Sequence, residues 1–281
     1  MKKFTLILLI VVLLMIGFGL IFYPYVSTWY NCRVLAGLLQ EFNEEIAQMD
    51  EAEIENHLRR AREYNDALYG GHIRDPFAED TGMMSSDYYL KTLNISGIMA
   101  QIEIPIIGVH LPVLHMIDKE VLNRGVGHVP GTSFPVGGMN THAILTGHSG
   151  LPNARMFTDL EELSIGDQFF ITVLNETLAY QVDQIMVVFP HEIEFLRVER
   201  GADFVTLITC TPYAVNTHRL LVRGARIPYE VGMADETALM SGTTNWRLVN
   251  GVAIGLVLLL TLIFYLVGKG RSKLKREDTQ V

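Results

Sequence analysis

Thr206-Leu-Ile-Thr-Cys210-Thr-Pro-Tyr-Ala-Val-Asn-Thr-His218-Arg219-Leu-Leu-Val-Arg223-Gly224 reads as strand, loop, strand. Phe204-Val-Thr-Leu-Ile-Thr is apolar and β-branched, Pro212 interrupts it, and Arg219-Leu-Leu-Val-Arg resumes an extended run. One strand closes on Cys210 and the next opens on Arg219, so a short loop brings a thiol and a guanidinium together. Positive charge beside a cysteine favours the thiolate, the form that attacks a carbonyl. A lone cysteine in such a strand is more often a small core residue. Taken alone, the stretch leaves a nucleophile and a packed thiol both open.

Working outward, residues 93–230 carry the alternation of half-buried strands. Ile98-Met-Ala-Gln-Ile-Glu-Ile-Pro and Gly108-Val-His-Leu-Pro-Val-Leu-His form the first pair. Asp118 to Leu122 reads as a short helical turn, and Val126 to Gly138 as a Gly/Pro-rich loop. Thr141-His-Ala-Ile-Leu-Thr-Gly-His148 is a buried strand, and Asn153 to Leu163 looks helical. Phe169 to Leu174 and Leu178 to Val188 make a hairpin around Asn175-Glu176. Seven or eight short strands with few helices predict an all-β domain closed into a barrel, which leaves no exposed sheet edge.

Upstream, residues 27–71 predict two amphipathic helices. Val34, Leu35, Leu38, Leu39, Phe42, Ile46 and Met49 recur at helical spacing. Asp50 with Glu53 starts a second helix whose apolar side is Ile54, Leu58, Ala61 and Leu68. Residues 72–92 show neither helical nor strand periodicity and hold Asp75-Pro76-Phe77.

The ends are apolar. Residues 4–26 and 248–268 carry no charge, and each is about the 20 residues a membrane helix needs. Lys2 and Lys3 precede the first, and the tail 269–281 is basic, so the positive-inside rule places both termini in the cytoplasm and residues 27–247 outside. The first run exceeds a signal-peptide core and lacks a following Ala-x-Ala site, which favours an uncleaved anchor. Residues 231–247 are the linker to the second span. Between residues 24 and 247 there are 15 Lys+Arg against 29 Asp+Glu, a net charge of −14. That acidity argues against nucleic acid as a partner. The two cysteines, Cys32 and Cys210, are far apart in sequence and read as unpaired.

A cysteine acting on an amide needs a base or acid and donors for the oxyanion. Of nine histidines, His148 ends a strand ahead of Ser149-Gly150. His142 lies six residues back, roughly 20 Å away at strand rise. His218 adjoins Arg219, but its side chain points to the opposite face of an extended strand.

The Thr206-Leu-x-Thr209-Cys210 pattern, with Arg219 after a short loop, resembles the signature of the sortases. The continuation through Thr211-Pro-Tyr and Asn216-Thr-His-Arg-Leu-Leu-Val-Arg-Gly is most similar to class C, the pilin-polymerising sortases of Gram-positive bacteria. The resemblance implies an eight-stranded sortase β-barrel, preceded by two helices and flanked by two transmembrane helices. Within it Thr146-Gly147-His148 matches the segment bearing the family histidine. It further implies that Cys210 cleaves an LPxTG-like sorting signal between Thr and Gly through a thioacyl intermediate. His148 then protonates the departing amine, Arg219 steadies the carbonyl oxygen, and no metal or organic cofactor takes part. The implied partners are pilin subunits and an acceptor pilin lysine. Asp75, Pro76 and Phe77 match a lid motif, with Asp75 pairing to Arg219 and Phe77 lying over Cys210.

Three other readings compete. A housekeeping sortase would use a cell-wall precursor amine as acceptor, a surface cysteine protease would use water, and a purely binding β-domain would tolerate loss of Cys210.

Overall fold

The computed structural model describes residues 2–69, 86–151, 155–192 and 194–234. Asp75-Pro76-Phe77 and the apolar run 248–268 lie outside them. Helix α1 spans Lys2–Gln48 and α2 spans Glu51–Tyr69. Among the described residues no single helix is long and apolar enough to cross a membrane. The pieces Val12–Leu20 and Phe22–Gln48 meet that criterion only together, bent by 43°. The bend has an identifiable cause in Pro24, which removes a donor and crowds the carbonyl four residues back, at Leu20. The sequence reading separated the first span from the helix after it, whereas α1 runs through both.

Leu35, Leu39, Phe42 and Ile46 recur every three or four residues and bury one stripe of α1. Asp50 starts α2 by accepting the Glu53 N–H at 2.8 Å. On α2, Leu58, Ala61 and Tyr64 join the same core, and Asn65 exchanges two hydrogen bonds with the backbone of Phe134. The two helices therefore pack on the domain they precede.

The expected irregularity of residues 72–92 gives way at its end to helix α3, Ser86–Lys91. Its Tyr89 is buried. His128 Nε2 donates to the Ser133 carbonyl, so Nδ1 is left to accept from the Tyr89 hydroxyl at 2.9 Å. A single aromatic every few residues is too little periodicity to announce such a short helix.

Eight strands follow: β1 Ala100–Ile104, β2 Val109–His115, β3 Val126–His128, β4 Thr141–Thr146, β5 Gln168–Val173, β6 Glu176–Val188, β7 Asp203–Thr211 and β8 His218–Ile227. They close in the order β1-β2-β3-β4-β7-β8-β6-β5. Inside lie Ile102, Val113, Leu145, Phe169, Tyr180, Val205, Leu207 and Val222. Helix α4, Lys119–Arg124, is capped by Asp118, which accepts from the N–H groups of Glu120 and Val121.

Three expectations change. The loop expected at 126–138 contains β3, which pairs parallel to β2 and closes the barrel. A Cβ at Gly127 would lie 2.4 Å from the Met116 carbonyl oxygen, so the glycine that disguised the strand is what lets it approach. The helix expected at 153–163 is, among the described residues, only a 3₁₀ turn at Thr158–Glu162. Phe157, Leu160 and Leu163 are all buried at a spacing of three, which suits a 3₁₀ turn. The hairpin loop is Leu174-Asn175, one residue earlier than expected, since Val173 pairs with Glu176.

Candidate active site

Strand pairing assembles the site. In the antiparallel β7/β8 ladder Cys210 lies directly opposite Arg219, where side chains on one face stand about 5 Å apart at Cβ. In the parallel β4/β7 ladder Thr146 pairs with Ile208. Two residues further along each chain stand His148 and Cys210, so they share the level and the face of that pair. The structure brings all three residues around one groove of about 300 Å³. Its apolar walls include Ile117, Val129, Val188, Leu196, Ile208 and Leu221.

The loop carrying His148 is held at several points. Gly147 N–H donates to the Ile208 carbonyl at 3.0 Å, and the Thr209 hydroxyl donates to the Gly147 carbonyl at 2.8 Å. The His148 carbonyl accepts from Phe157 N–H at 3.0 Å. A Cβ on Gly147 would stand 2.8 Å from the fully buried Phe157 ring, so this position has no space for a side chain. Thr209 is thus a positioning residue as well as part of the sequence signature. Gly147 and Phe157 hold the same loop, and nothing in the sequence pattern marked Phe157 for this.

Partial burial pulls the His148 pKa below its ordinary 6.5, and the Lys119 ammonium pulls it in the same direction. The imidazole is therefore mainly neutral at pH 7. Arg219 donates from Nη1 to the carbonyls of His218 at 3.1 Å and Asn216 at 3.3 Å, which steers the guanidinium along the β7–β8 loop. Cys210 is half-buried, and both cysteines are free. A thiol, a neutral imidazole and a permanent cation in one apolar groove can perform acyl transfer: attack, proton shuttling and stabilisation of an oxyanion.

The two competing histidines are engaged elsewhere. His142 is buried with both ring nitrogens bonded, and the His218 ring packs on Phe189 with centroids 4.6 Å apart. Arg223 makes ion pairs with Asp183 and Glu199. Arg226 lies over the Tyr180 ring, and its Nη1 is buried without a hydrogen bond. The described residues hold no group of three or more His, Cys, Asp or Glu placed to bind a metal.

Residues 102–227 match the family described as Sortase domain. The structure is similar to Sortase C1 of Streptococcus agalactiae, with 43% identity and a TM-score of 0.64, over 70% of this chain and 97% of that one. It is similar to sortase C-1 from Actinomyces oris at 48% identity and a TM-score of 0.59, over 63% and 99%. Streptococcus pneumoniae Sortase C gives 42% and 0.63, over 69% and 97%. Among curated relatives, Sortase A of Streptococcus agalactiae serotype III (strain NEM316) is 27% identical over 158 residues, 54% of this chain. Sortase A of Bacillus anthracis is 29% identical over 133, or 47% of it. The chain spans 63% and 61% of those two proteins.

Proposed function

The chain belongs to the sortase family of cysteine transpeptidases, with class C enzymes among its similar solved structures; from that premise we propose that it joins pilin subunits covalently. It cleaves an LPxTG-like sorting signal between Thr and Gly and transfers the acyl group to a lysine of another subunit. The observation that carries this is the register of Cys210 opposite Arg219, with His148 at the same level across β4.

Because His148 rests mainly neutral, it takes the proton of the Cys210 thiol as Sγ attacks the threonine carbonyl carbon. The Arg219 guanidinium stabilises the oxyanion. The tetrahedral species collapses by breaking the C–N bond to glycine, and the imidazolium returns its proton to the departing amine. The thioacyl enzyme then meets a lysine amine. A new amide bond forms, the C–S bond breaks, and His148 relays the amine proton to the leaving thiolate. Lysine, with an unperturbed pKa of about 10.4, competes with water only through docking that raises its local concentration.

Asp75-Pro76-Phe77 act as a lid over this groove, with Asp75 paired to Arg219 and Phe77 covering Cys210. Support for that part is the motif itself and the class C relatives. The uncharged runs 4–26 and 248–268 anchor the enzyme in the membrane with both termini cytoplasmic and the barrel outside. The pilin reading draws support from the pneumococcal relative, whose structure is described in terms of pilin substrate specificity. The test is to incubate the purified full chain with candidate pilins alone. Polymer ladders that vanish when the acceptor lysine becomes arginine are expected. Transfer only to a cell-wall-type amine, with no ladder, would place the enzyme with the housekeeping sortases.

A further inference from the structure

The catalytic face of the sheet continues well below the catalytic level. Alternation places Cys210, Ile208, Thr206 and Phe204 on one face of β7, Arg219, Leu221 and Arg223 on β8, and Thr146, Ile144 and His142 on β4. Across this lower half run residues 189–192 and 194–202 of the link from β6 to β7, the strap. It leaves β6 beside Arg219, since Val188 and Arg219 are paired, and it returns at Asp203 opposite Thr141. Phe189, Pro190, Glu192 and Leu196 of this strap line the groove that holds Cys210.

The strap is held by side chains from the sheet beneath it. His142 is 1% exposed. Its Nδ1 contacts the Arg197 carbonyl at 2.9 Å, and a carbonyl only accepts, so Nδ1 carries the proton. Nε2 must then accept from the Thr206 hydroxyl, at 2.7 Å. Opposite Thr206 in the β7/β8 ladder, Arg223 donates from Nε and Nη2 to both oxygens of Asp183 and from Nη1 to Glu199 of the strap at 2.9 Å, with its guanidinium 4.1 Å from the Phe204 ring. Asp183 sits where the β6 register shifts, a bulge that re-aims its side chain towards Arg223. Gly201 N–H donates to Asn140 at 2.8 Å.

We propose that His142, oriented by Thr206 and seconded by Arg223, is a positioning residue that fixes the strap and thereby the substrate-facing side chain of Leu196. It takes no part in the chemistry. Thr206 lies four residues below Cys210, about 13 Å along the strand, and both nitrogens of His142 are already bonded. The anchored carbonyl belongs to Arg197, adjacent to Leu196, so the anchor acts one residue from the groove wall. An apolar ring at 142 would leave that carbonyl without its donor. The strap would then spend part of its time displaced, and apparent affinity falls in proportion to the competent fraction.

The peptide arm of the test rests on the sortase reading, and the exchange arm does not. Full-length chain in detergent is prepared as wild type, His142→Phe, Thr206→Val and Thr206→Ser. Hydrogen exchange across residues 194–199 should quicken about tenfold in His142→Phe and Thr206→Val and stay near wild type in Thr206→Ser, where a hydroxyl remains. KM for an LPxTG-like peptide should rise about tenfold in the first two with kcat within about twofold. Alkylation of Cys210 by iodoacetamide, which is too small to need the strap, should be unchanged. Unchanged strap exchange in both folded variants overturns the proposal, as does a fall in kcat with KM preserved. If His142→Phe does not fold, Thr206→Val decides. A wild type that turns over no such peptide counts against the sortase substrate, and strap exchange still decides the role of His142.

Discussion

Gly147→Ala places a methyl group where the structure has none to spare. The new Cβ would stand 2.8 Å from two carbons of the Phe157 ring and 3.3 Å from a third. Phe157 is fully buried, so the ring has nowhere to turn, and the strain divides between the core and the His148 loop. Overpacking of this kind costs about 1–3 kcal/mol. For a domain of this size that is about 2–4 °C of Tm per kcal/mol, or roughly 4–8 °C for a 2 kcal/mol loss. The loop cannot yield freely, because Gly147 is bonded to Ile208 and Thr209 and the His148 carbonyl to Phe157. Displacing the imidazole by about 1 Å should lower kcat by up to about 10²-fold, with a smaller change in KM. The assay is thermal unfolding and steady-state kinetics on Gly147→Ala, Phe157→Leu and the double variant. Each single change should destabilise, and the pair should destabilise by clearly less than the sum, since the leucine removes the clash. Additive losses, or a Gly147→Ala enzyme with wild-type Tm and kcat, would refute the argument.

Cys210→Ala should abolish ligation with the fold intact, while the exposed Cys32→Ala should be nearly silent, both read from pilin ladders. Lys119→Met removes the smaller of the two causes that depress His148. Its imidazole resonance should titrate at higher pH than in wild type while still remaining below 6.5, because burial persists. Burial lowers His142 to about 4 and His128 to about 3, against an unfolded value of 6.5. Unfolded chain therefore binds more protons in that window, and the stability present above pH 6.5 should fall by about 1.4 kcal/mol per pH unit per histidine as pH drops towards those values. Denaturant unfolding in the pH range from 7 to 4 checks it, and His128→Phe should flatten the slope. Asp75→Ala or Phe77→Ala should raise the alkylation rate of Cys210 if the lid covers it. Equal rates in both would reduce the motif to linker.

The strand-loop-strand around Cys210, the period-two alternation from residue 98 onward and the helical spacing of Leu35 to Ile46 were legible because each is a local pattern of apolar residues. Cys210, His148 and Arg219 were singled out by the resemblance of their segments to the sortase signature, since local pattern alone left the role of the thiol open. Tertiary structure decided what local pattern does not encode. Strand β3 is three residues long and glycine-bearing, and exists because β2 and β4 lie on either side to receive it. Tyr89 is an anchor because residues far along the chain meet it: His128, 39 residues on, accepts its hydrogen bond at Nδ1, and the Met116 N–H donates to its hydroxyl. The level shared by His148, Cys210 and Arg219 depends on the register of two ladders, an antiparallel one between neighbouring strands and a parallel one whose partners, such as Thr146 and Ile208, lie 62 residues apart. No short window of sequence contains both partners of the parallel β4/β7 ladder. Chemistry-bearing residues can therefore be read from the chain, while the hydrogen bonds and packing that aim them appear only once distant strands are side by side.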